Sequence, residues 1–416
     1  MFGSFLLKLI VPTLLVASQV LAISPQAKSY LDNVLDLLET HYVRSDTINW
    51  TELRQKAYQL AANAQRPSDT YLAIEQVLAE IGEGHMYFIP APQAGQGSEA
   101  RTMYGGGLEL RRGENFIIRL TPGGPAQKAG LEIGDQIEMV NGRPLILSEE
   151  LFSYRQGQTV GLLVYRARTD QRMTVRLSLT EPLQPPKPTA WLLGQKFGYL
   201  DLPRHSLADA RQLDYARQVQ QAIRAVDAQK PCGWVVDLRN NAGGLFYSML
   251  LGVGPLLGEG YVGGLVGPKS KEQWIYQDGK VLVRSGDATK VMVQLEQPYR
   301  LRTVNSPVAV LMGPETTSAG EALVIAFKGR PNTRFFGEPS YGFTTALRMF
   351  ELPDGARIAI AVAFFADREG QPYDQQLEPD ESLFTEWGFF QSEKDEVLQG
   401  ALVWLQNQPV CRDARP

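Results

Sequence analysis

Residues 306–327 read SPVAVLMGPETTSAGEALVIAF, and the order of their parts sets the reading of the rest of the chain. The apolar run ending at Met312 has strand length and is bounded by turn residues, which predicts a buried strand. After the polar cluster Thr316, Thr317 and Ser318, an amphipathic helix is expected to open at Ala319-Gly320-Glu321. A strand that passes through a polar turn straight into a helix is the repeating unit of an α/β core. The serine at the turn has two readings that its own neighbours do not separate. Its hydroxyl caps the free amides of the first helical turn, or it is a nucleophile whose neighbouring Ala319 amide faces the carbonyl under attack.

The same alternation extends in both directions. KFGYLDLP (196–203), GWVVDL (233–238) and TRFFGE (333–338) read as strands, and residues 207–228 and LFYSMLLGVGPLL (245–257) as helices. RMFELPDGARIAIAVAF (348–364) reads as a hairpin turning at Asp354-Gly355. The expected fold class is therefore α/β in its mixed α+β form, with the core over residues 194–416 and its strands feeding loops at one edge. Upstream, residues 100–182 break into short strands separated by turns, a compact module of ordinary domain size. EPLQPPKP (181–188) holds four prolines in eight positions, so residues 183–193 read as a stiff linker. Residues 23–92 repeat apolar positions at helical steps in SYLDNVLDLLETHYV, ELRQKAYQLAANAQ and TYLAIEQVLAEIGEG, and PAPQAGQGS follows as a linker.

Residues 1–22 carry Lys8, an apolar run from Leu9 to Ala17, and small residues Val20 and Ala22. That is the pattern of a secretory signal cleaved after Ala22, the alternative being an uncleaved anchor interrupted by Pro12. An exported protein, periplasmic or secreted, is expected, with no membrane span after cleavage. A net charge of −4 with 21% charged residues does not favour nucleic acid or a polybasic membrane contact. Cys232 and Cys411 pair in an oxidising compartment if the C-terminal tail reaches the core, and otherwise stay free. They form no metal-ligand spacing with His41, His85 or His205, so neither metal nor cofactor is expected.

Three loops carry the ingredients of catalysis. In VVDLRNNAGGLF, Gly243 and Gly244 follow a strand end, and glycines there let backbone amides point at an oxyanion; an ordinary turn has the same letters. Ser318 is the second. His85 in EIGEGHMYF is the third, either a base of suitable pKa or a partner of the helix dipole.

Taken in order, these motifs resemble the C-terminal processing, or tail-specific, serine peptidases and their tricorn-type relatives over nearly all of the mature length. GEGHMYF matches the Gly-x-His-like turn of their helical region, and GGGLEL…IIRLTPGGPAQKAGLEIGDQIEMVNGRPL looks like their inserted PDZ domain. GYLDLP, VVDLRNNAGG, SPVAVLMGPETTSAGEAL, FFGEPSYG and LEPDESL match the core. The resemblance implies Ser318 as nucleophile, with the amides of Ala319 and of one of the Gly243-Gly244 pair as the oxyanion hole. It also implies that Gly105, Gly106, Gly107 and Leu108 take the free C-terminus of a protein or peptide substrate by strand addition.

The match breaks at one position. Ser-Lys members place their basic lysine twenty-five positions after the serine, and here that residue is Phe343. A phenyl ring accepts no proton, and Lys328 would lie roughly 15 Å along the same helix. Tricorn-type members use histidine, which leaves His85 as the base, with Gly84 where they carry serine and with Asp374 or Glu378 as candidate third groups. The alternative functions are a PDZ-containing binding or scaffold protein that has lost its base, and a processing enzyme for a small secreted peptide.

Overall fold

A computed structural model describes residues 22–91, 104–111, 115–145, 157–182, 186–205 and 212–412, so all of the expected signal segment except Ala22 lies outside the described residues. The chain divides into two compact units, Met1–Gln93 with Met349–Ile360, and Ala94–Arg348 with Ala361–Pro416.

The first unit is the helical lead-in. Helices α1 (Pro25–His41), α2 (Trp50–Leu60) and α3 (Tyr71–Ile81) follow the expected periodicity. Ser24 Oγ accepts the Ala27 N–H to cap α1, and Asn49 caps α2 in the same way. Leu31, Val34, Leu35 and Leu38 of α1 and Ile74 and Val77 of α3 are buried. Gly82 ends α3 at φ 75°, and strand β1 (Tyr87–Ile89) pairs antiparallel with Arg357–Ala359. The Tyr30 and Tyr71 hydroxyls both donate to Asp354, in the turn of the expected hairpin.

The second unit begins with the β-rich module. Strands β2 (Tyr104–Gly105), β3 (Leu108–Leu110) and β4 (Ile117–Leu120) precede the short helix α4 (Pro125–Lys128). Then come β5 (Asp135–Val140), β6 (Arg143–Pro144), β7 (Thr159–Arg166), β8 (Gln171–Ser178) and β9 (Glu181–Pro182). An antiparallel sheet in the order β6-β5-β7-β8 and the pairs β3-β4 and β2-β9 enclose Leu110, Ile117, Ile137, Val160, Leu162, Val164 and Leu177.

The rest is a sheet in the order β10-β11-β12-β17-β18-β21, made of Thr189–Leu193, Phe197–Asp201, Gly233–Asp237, Val308–Met312, Thr333–Gly337 and Glu381–Ser382. All neighbouring pairs are parallel except β10 with β11. Side chains alternate between its faces as a two-residue period requires. Leu200, Trp234, Val236, Val310 and Met312 meet α5 (Gln212–Asp227), α6 (Phe246–Leu257) and α7 (Ala319–Phe327). Tyr199, Val235, Ala309 and Leu311 meet α8 (Glu396–Gln406) on the other face.

Two features differ from expectation. Helix α7 is not amphipathic: all nine of its residues are buried, because it packs among β17, α6 and strand β13 (Gly260–Gly267). Strand β13 opens an antiparallel meander with β14 (Ser270–Gln277), β15 (Lys280–Ser285) and β16 (Ala288–Gln294) that the motifs did not announce. The hairpin strands β19 (Thr345–Glu351) and β20 (Arg357–Ala366) follow, and Phe364–Ala366 pairs with β13.

Candidate active site

Parallel register puts the carboxyl ends of β11, β12 and β17 at one edge of the sheet: Asp201 lies opposite Asp237, and Asp237 opposite Leu311. The chain after each end carries a part of the site, where open α/β sheets commonly place ligands. After β17, Ser318 stands at the N-cap of α7 with φ 55° and ψ −117°. Ordinary N-caps keep extended backbone. A positive φ at a residue with a side chain costs on the order of 1–3 kcal/mol and persists only where its surroundings over-determine it. Ser318 is therefore held in place by more than capping. Thr316 and Thr317 do not cap the helix: Thr316 Oγ1 accepts the Gly313 N–H and donates to the Leu238 carbonyl, and Thr317 Oγ1 donates to the Glu315 carbonyl.

After β12, the buried Asn241 ties the loops together. Its Nδ2 donates to the Leu202 carbonyl at the end of β11 (2.9 Å), and its carbonyl accepts the Thr317 N–H (3.0 Å). Its Oδ1 accepts the Gly243 N–H at 3.0 Å. Gly243 (φ 81°) touches the serine turn so closely that a Cβ there would lie 2.8 Å from the Thr317 carbonyl and 3.1 Å from Ser318 Cβ. Gly244 (φ 120°) leaves no room at all, since a Cβ would fall 1.7 Å from the His205 carbonyl. With the Gly243 amide engaged by Asn241, the Gly244 and Ala319 amides are the two members of the expected oxyanion set that have no acceptor among the described residues.

Below this loop, Arg239 is fully buried. Its guanidinium is shared between Asp237 (2.7 Å) and Asp395 (2.9 Å), the N-cap of α8. Asp237 also takes the Tyr199 hydroxyl.

Beside the serine, Glu321 is completely buried. Oε2 accepts the Ser318 N–H at 2.8 Å, while Oε1 accepts the Ser340 hydroxyl at 2.5 Å and the Gly342 N–H at 2.8 Å. Burial pushes this carboxyl above the usual glutamate range, against the pull of those donors. In the sequence, Glu321 reads only as a helix-opening residue. The available signal was the Ser-x-x-Glu spacing of a capping box.

The structure thus brings Ser318, Ala319, Gly243 and Gly244 together. His85 belongs to the first unit, buried on the turn closed by the Met86 N–H to Glu83 carbonyl bond, and Arg44 pairs with Glu83 at 2.9 Å. Phe343 stacks edge-on against Tyr341. Lys328 stands at the opposite end of α7 over the Phe335 ring, where burial lowers its pKa and Glu378 is among the carboxylates facing it. Asp374 and Glu378 are exposed. Cys232 and Cys411 form a disulfide that closes 179 residues of chain, with both sulfurs' residues buried, so the free-thiol alternative does not hold.

In the β-rich module, the Gly106 and Gly107 carbonyls accept the Ala126 and Thr121 N–H groups, and Leu108 pairs with Leu120 and faces the module core. Gly105 pairs with Glu181. Residues 146–156, which follow β6, lie outside the described residues. This module rests on the α/β core through Arg119, whose guanidinium meets Asp201 at 2.8 Å and Glu109, and through Ile118, which packs on Trp387 and Phe390.

Comparison with known proteins agrees with this architecture. Residues 196–383 match the model of peptidase family S41, and residues 116–158 match that of the PDZ domain. The carboxyl-terminal-processing protease of Picosynechococcus sp. is 27% identical over 383 residues, covering 88% of this chain and 85% of the relative. The nisin-resistance protein of Lactococcus lactis subsp. lactis is 30% identical over 223 residues, which is 53% of this chain and 64% of that protein. Among solved structures, the photosystem II D1 C-terminal processing protease aligns with a TM-score of 0.55 at 21% identity, covering 87% of this chain and 94% of that one. A lipoprotein from Streptococcus agalactiae aligns at 0.52 and 18% identity, over 93% and 99%. At such identities the structural likeness speaks to the fold.

Proposed function

We propose that the chain is a serine-type peptidase of the PDZ-containing C-terminal processing kind, that Ser318 is its nucleophile and that its substrates are recruited by their free C-termini. The observation that carries this reading is the backbone of Ser318. It holds a φ of 55° at the carboxyl edge of a parallel sheet, between a helix N-terminus and a glycine loop in contact with it. Strain of that kind accumulates where a nucleophile must project from a strand-to-helix turn.

Ser318 Oγ attacks the scissile carbonyl carbon while His85 takes its proton. The oxyanion lies against the amides of Ala319 and Gly244, because the Gly243 amide is already engaged by Asn241. The proton passes from His85 to the leaving amine, and water then cleaves the acyl-enzyme. His85 is the base that the resemblance to tricorn-type members implies, since Phe343 stands where a lysine base would and Lys328 is at the far end of α7. The edge of β3 that does not pair with β4 is the proposed docking edge for the substrate C-terminus, by strand addition. Export to an oxidising compartment is supported by the buried Cys232–Cys411 disulfide and by the apolar N-terminal stretch. Among the described residues, no helix is long and apolar enough to cross a membrane.

The experiment is steady-state cleavage of an unstructured polypeptide with a free C-terminus. Ser318→Ala and His85→Ala are expected to abolish it, and Phe343→Ala to leave most of it. Gly244→Ala keeps its N–H, but a Cβ 1.7 Å from the His205 carbonyl forces the loop to shift and displace that donor, so kcat is expected to fall about 100- to 1000-fold, the usual effect of losing one oxyanion donor. Full activity in Ser318→Ala refutes the nucleophile. Full activity in His85→Ala alone moves the base elsewhere, and binding without cleavage by the unmodified protein favours the scaffold reading.

A further inference from the structure

A carboxylate buried at the third position of a helix needs only the N-cap amide to complete a capping box. Glu321 does more. One oxygen takes the Ser318 amide, and the other reaches 19 and 21 residues along the chain to the Ser340 hydroxyl and the Gly342 amide. The Phe343 amide points at the same group. Ser340 is itself fixed from its other side, because its Oγ accepts the Leu377 N–H at 2.8 Å and its N–H donates to the Leu377 carbonyl at 3.0 Å. Next to it, the Tyr341 N–H donates to the Thr316 carbonyl, two residues before the serine.

We infer that Glu321 is a positioning residue, whose one carboxylate locks the backbone of Ser318 to the segment Ser340–Phe343 that runs beside it. The inference rests on the reading of Ser318 as nucleophile. Glu321 is not the base, since both of its oxygens are already occupied by donors and one of these is the serine's own amide. Its action is geometric. The Ser318 amide is bonded to Glu321, the Ala319 amide is the next along the chain, and Gly243 rests against both residues. A shift in the peptide before Ser318 therefore displaces nucleophile and oxyanion donor together. All the groups that face the carboxylate donate, so an amide of the same shape turns its own N–H₂ toward at least one of them, and the lock opens.

The test compares Glu321→Gln and Ser340→Ala with the unmodified protein by three measurements. These are kcat and KM for the same polypeptide, the rate at which a fluorophosphonate labels Ser318, and the thermal midpoint. Misplacement of reacting groups by about 1 Å costs roughly 100-fold, so Glu321→Gln should lower kcat by about that factor with KM within about twofold. The labelling rate should fall in parallel. Ser340→Ala, which removes one charge-assisted bond, should lower kcat about tenfold. Either variant folded with an unmodified kcat and labelling rate overturns the proposal. So does a loss that vanishes when rates are expressed per folded molecule, because that is stability alone. If Glu321→Gln does not fold, Ser340→Ala decides by the same criteria. Cleavage by Ser318→Ala refutes the nucleophile itself and is read separately from either variant.

Discussion

Ser318 and Glu321 illustrate how three residues of spacing carry both structure and chemistry. The motif Ser-Ala-Gly-Glu is a helix start by its letters. Only the φ of 55° separates a serine that merely starts a helix from one under strain, and φ is not legible in a side-chain pattern. The buried carboxyl also has a pH signature with two opposite signs. Burial raises its pKa in the folded chain, so the folded state holds the proton more tightly than the unfolded chain does. Its contribution to stability is therefore fully present below the unfolded glutamate range and is lost as pH rises through the raised value. The lock on Ser318 needs the anion and weakens in the reverse direction, as pH falls through that same value. Urea denaturation across this window should show a stability increment on acidification that Glu321→Gln lacks, while activity of the unmodified protein declines. An identical pH slope in both proteins would count against a raised carboxyl.

The elements that deliver these residues are the strand ends. Strands β11, β12 and β17 lie side by side in parallel register, and each ends in a turn whose polar groups bond across to the next. Asn241 spans all three, reaching Leu202, Gly243 and Thr317. The strands themselves were legible as short apolar runs. Their adjacency was not, because order within a sheet depends on which faces the helices cover. Helix α7 shows the same limit: read as amphipathic, it is buried on every side because β13 covers what would have been its outer face. On the opposite face of the sheet, α8 is held by Val397, Leu398, Ala401 and Leu405, by Asp395 on Arg239, and by the disulfide just beyond its end. Cross-links closing long loops stabilise chiefly by restricting the unfolded chain, so replacing both cysteines by serine should lower unfolding free energy by about 2–5 kcal/mol. Urea titration of the oxidised protein and of the double variant measures this. Because apolar contacts keep α8 docked, kcat at low temperature should stay close to that of the unmodified protein.

Across the second unit, the β-rich module is seated on the α/β core rather than tethered only by the proline-rich segment. Arg119 is nearly buried between Glu109 and Asp201, and Asp201 ends the strand whose next residue receives Asn241. Truncating one partner of a buried ion pair typically costs about 3–5 kcal/mol, because the other charge is left without compensation. Arg119→Ala should therefore loosen the module, seen as faster hydrogen exchange at Ile117–Leu120 and at Trp387–Phe390 while β7 and β8 keep their protection. Exchange unchanged at both places would mean that the seat does not depend on the ion pair. Neither residue announced itself in the sequence. Their positions, 82 residues apart, become a pair only when two different sheets meet.

Composition and local pattern were enough to state the fold class, the division into helical, β-rich and α/β segments, and the serine, glycine and histidine that merit testing. Hydrophobic periodicity, turn residues and motif spacing are short-range signals, and each of those statements is short-range. The engagement of the Gly243 amide, the backbone of Ser318, the burial of α7, the Cys232–Cys411 bridge and the four donors around Glu321 came from packing. Each depends on groups brought together across tens or hundreds of residues, where excluded volume and the requirement that buried polar atoms find partners choose among arrangements that the chain's letters leave equal.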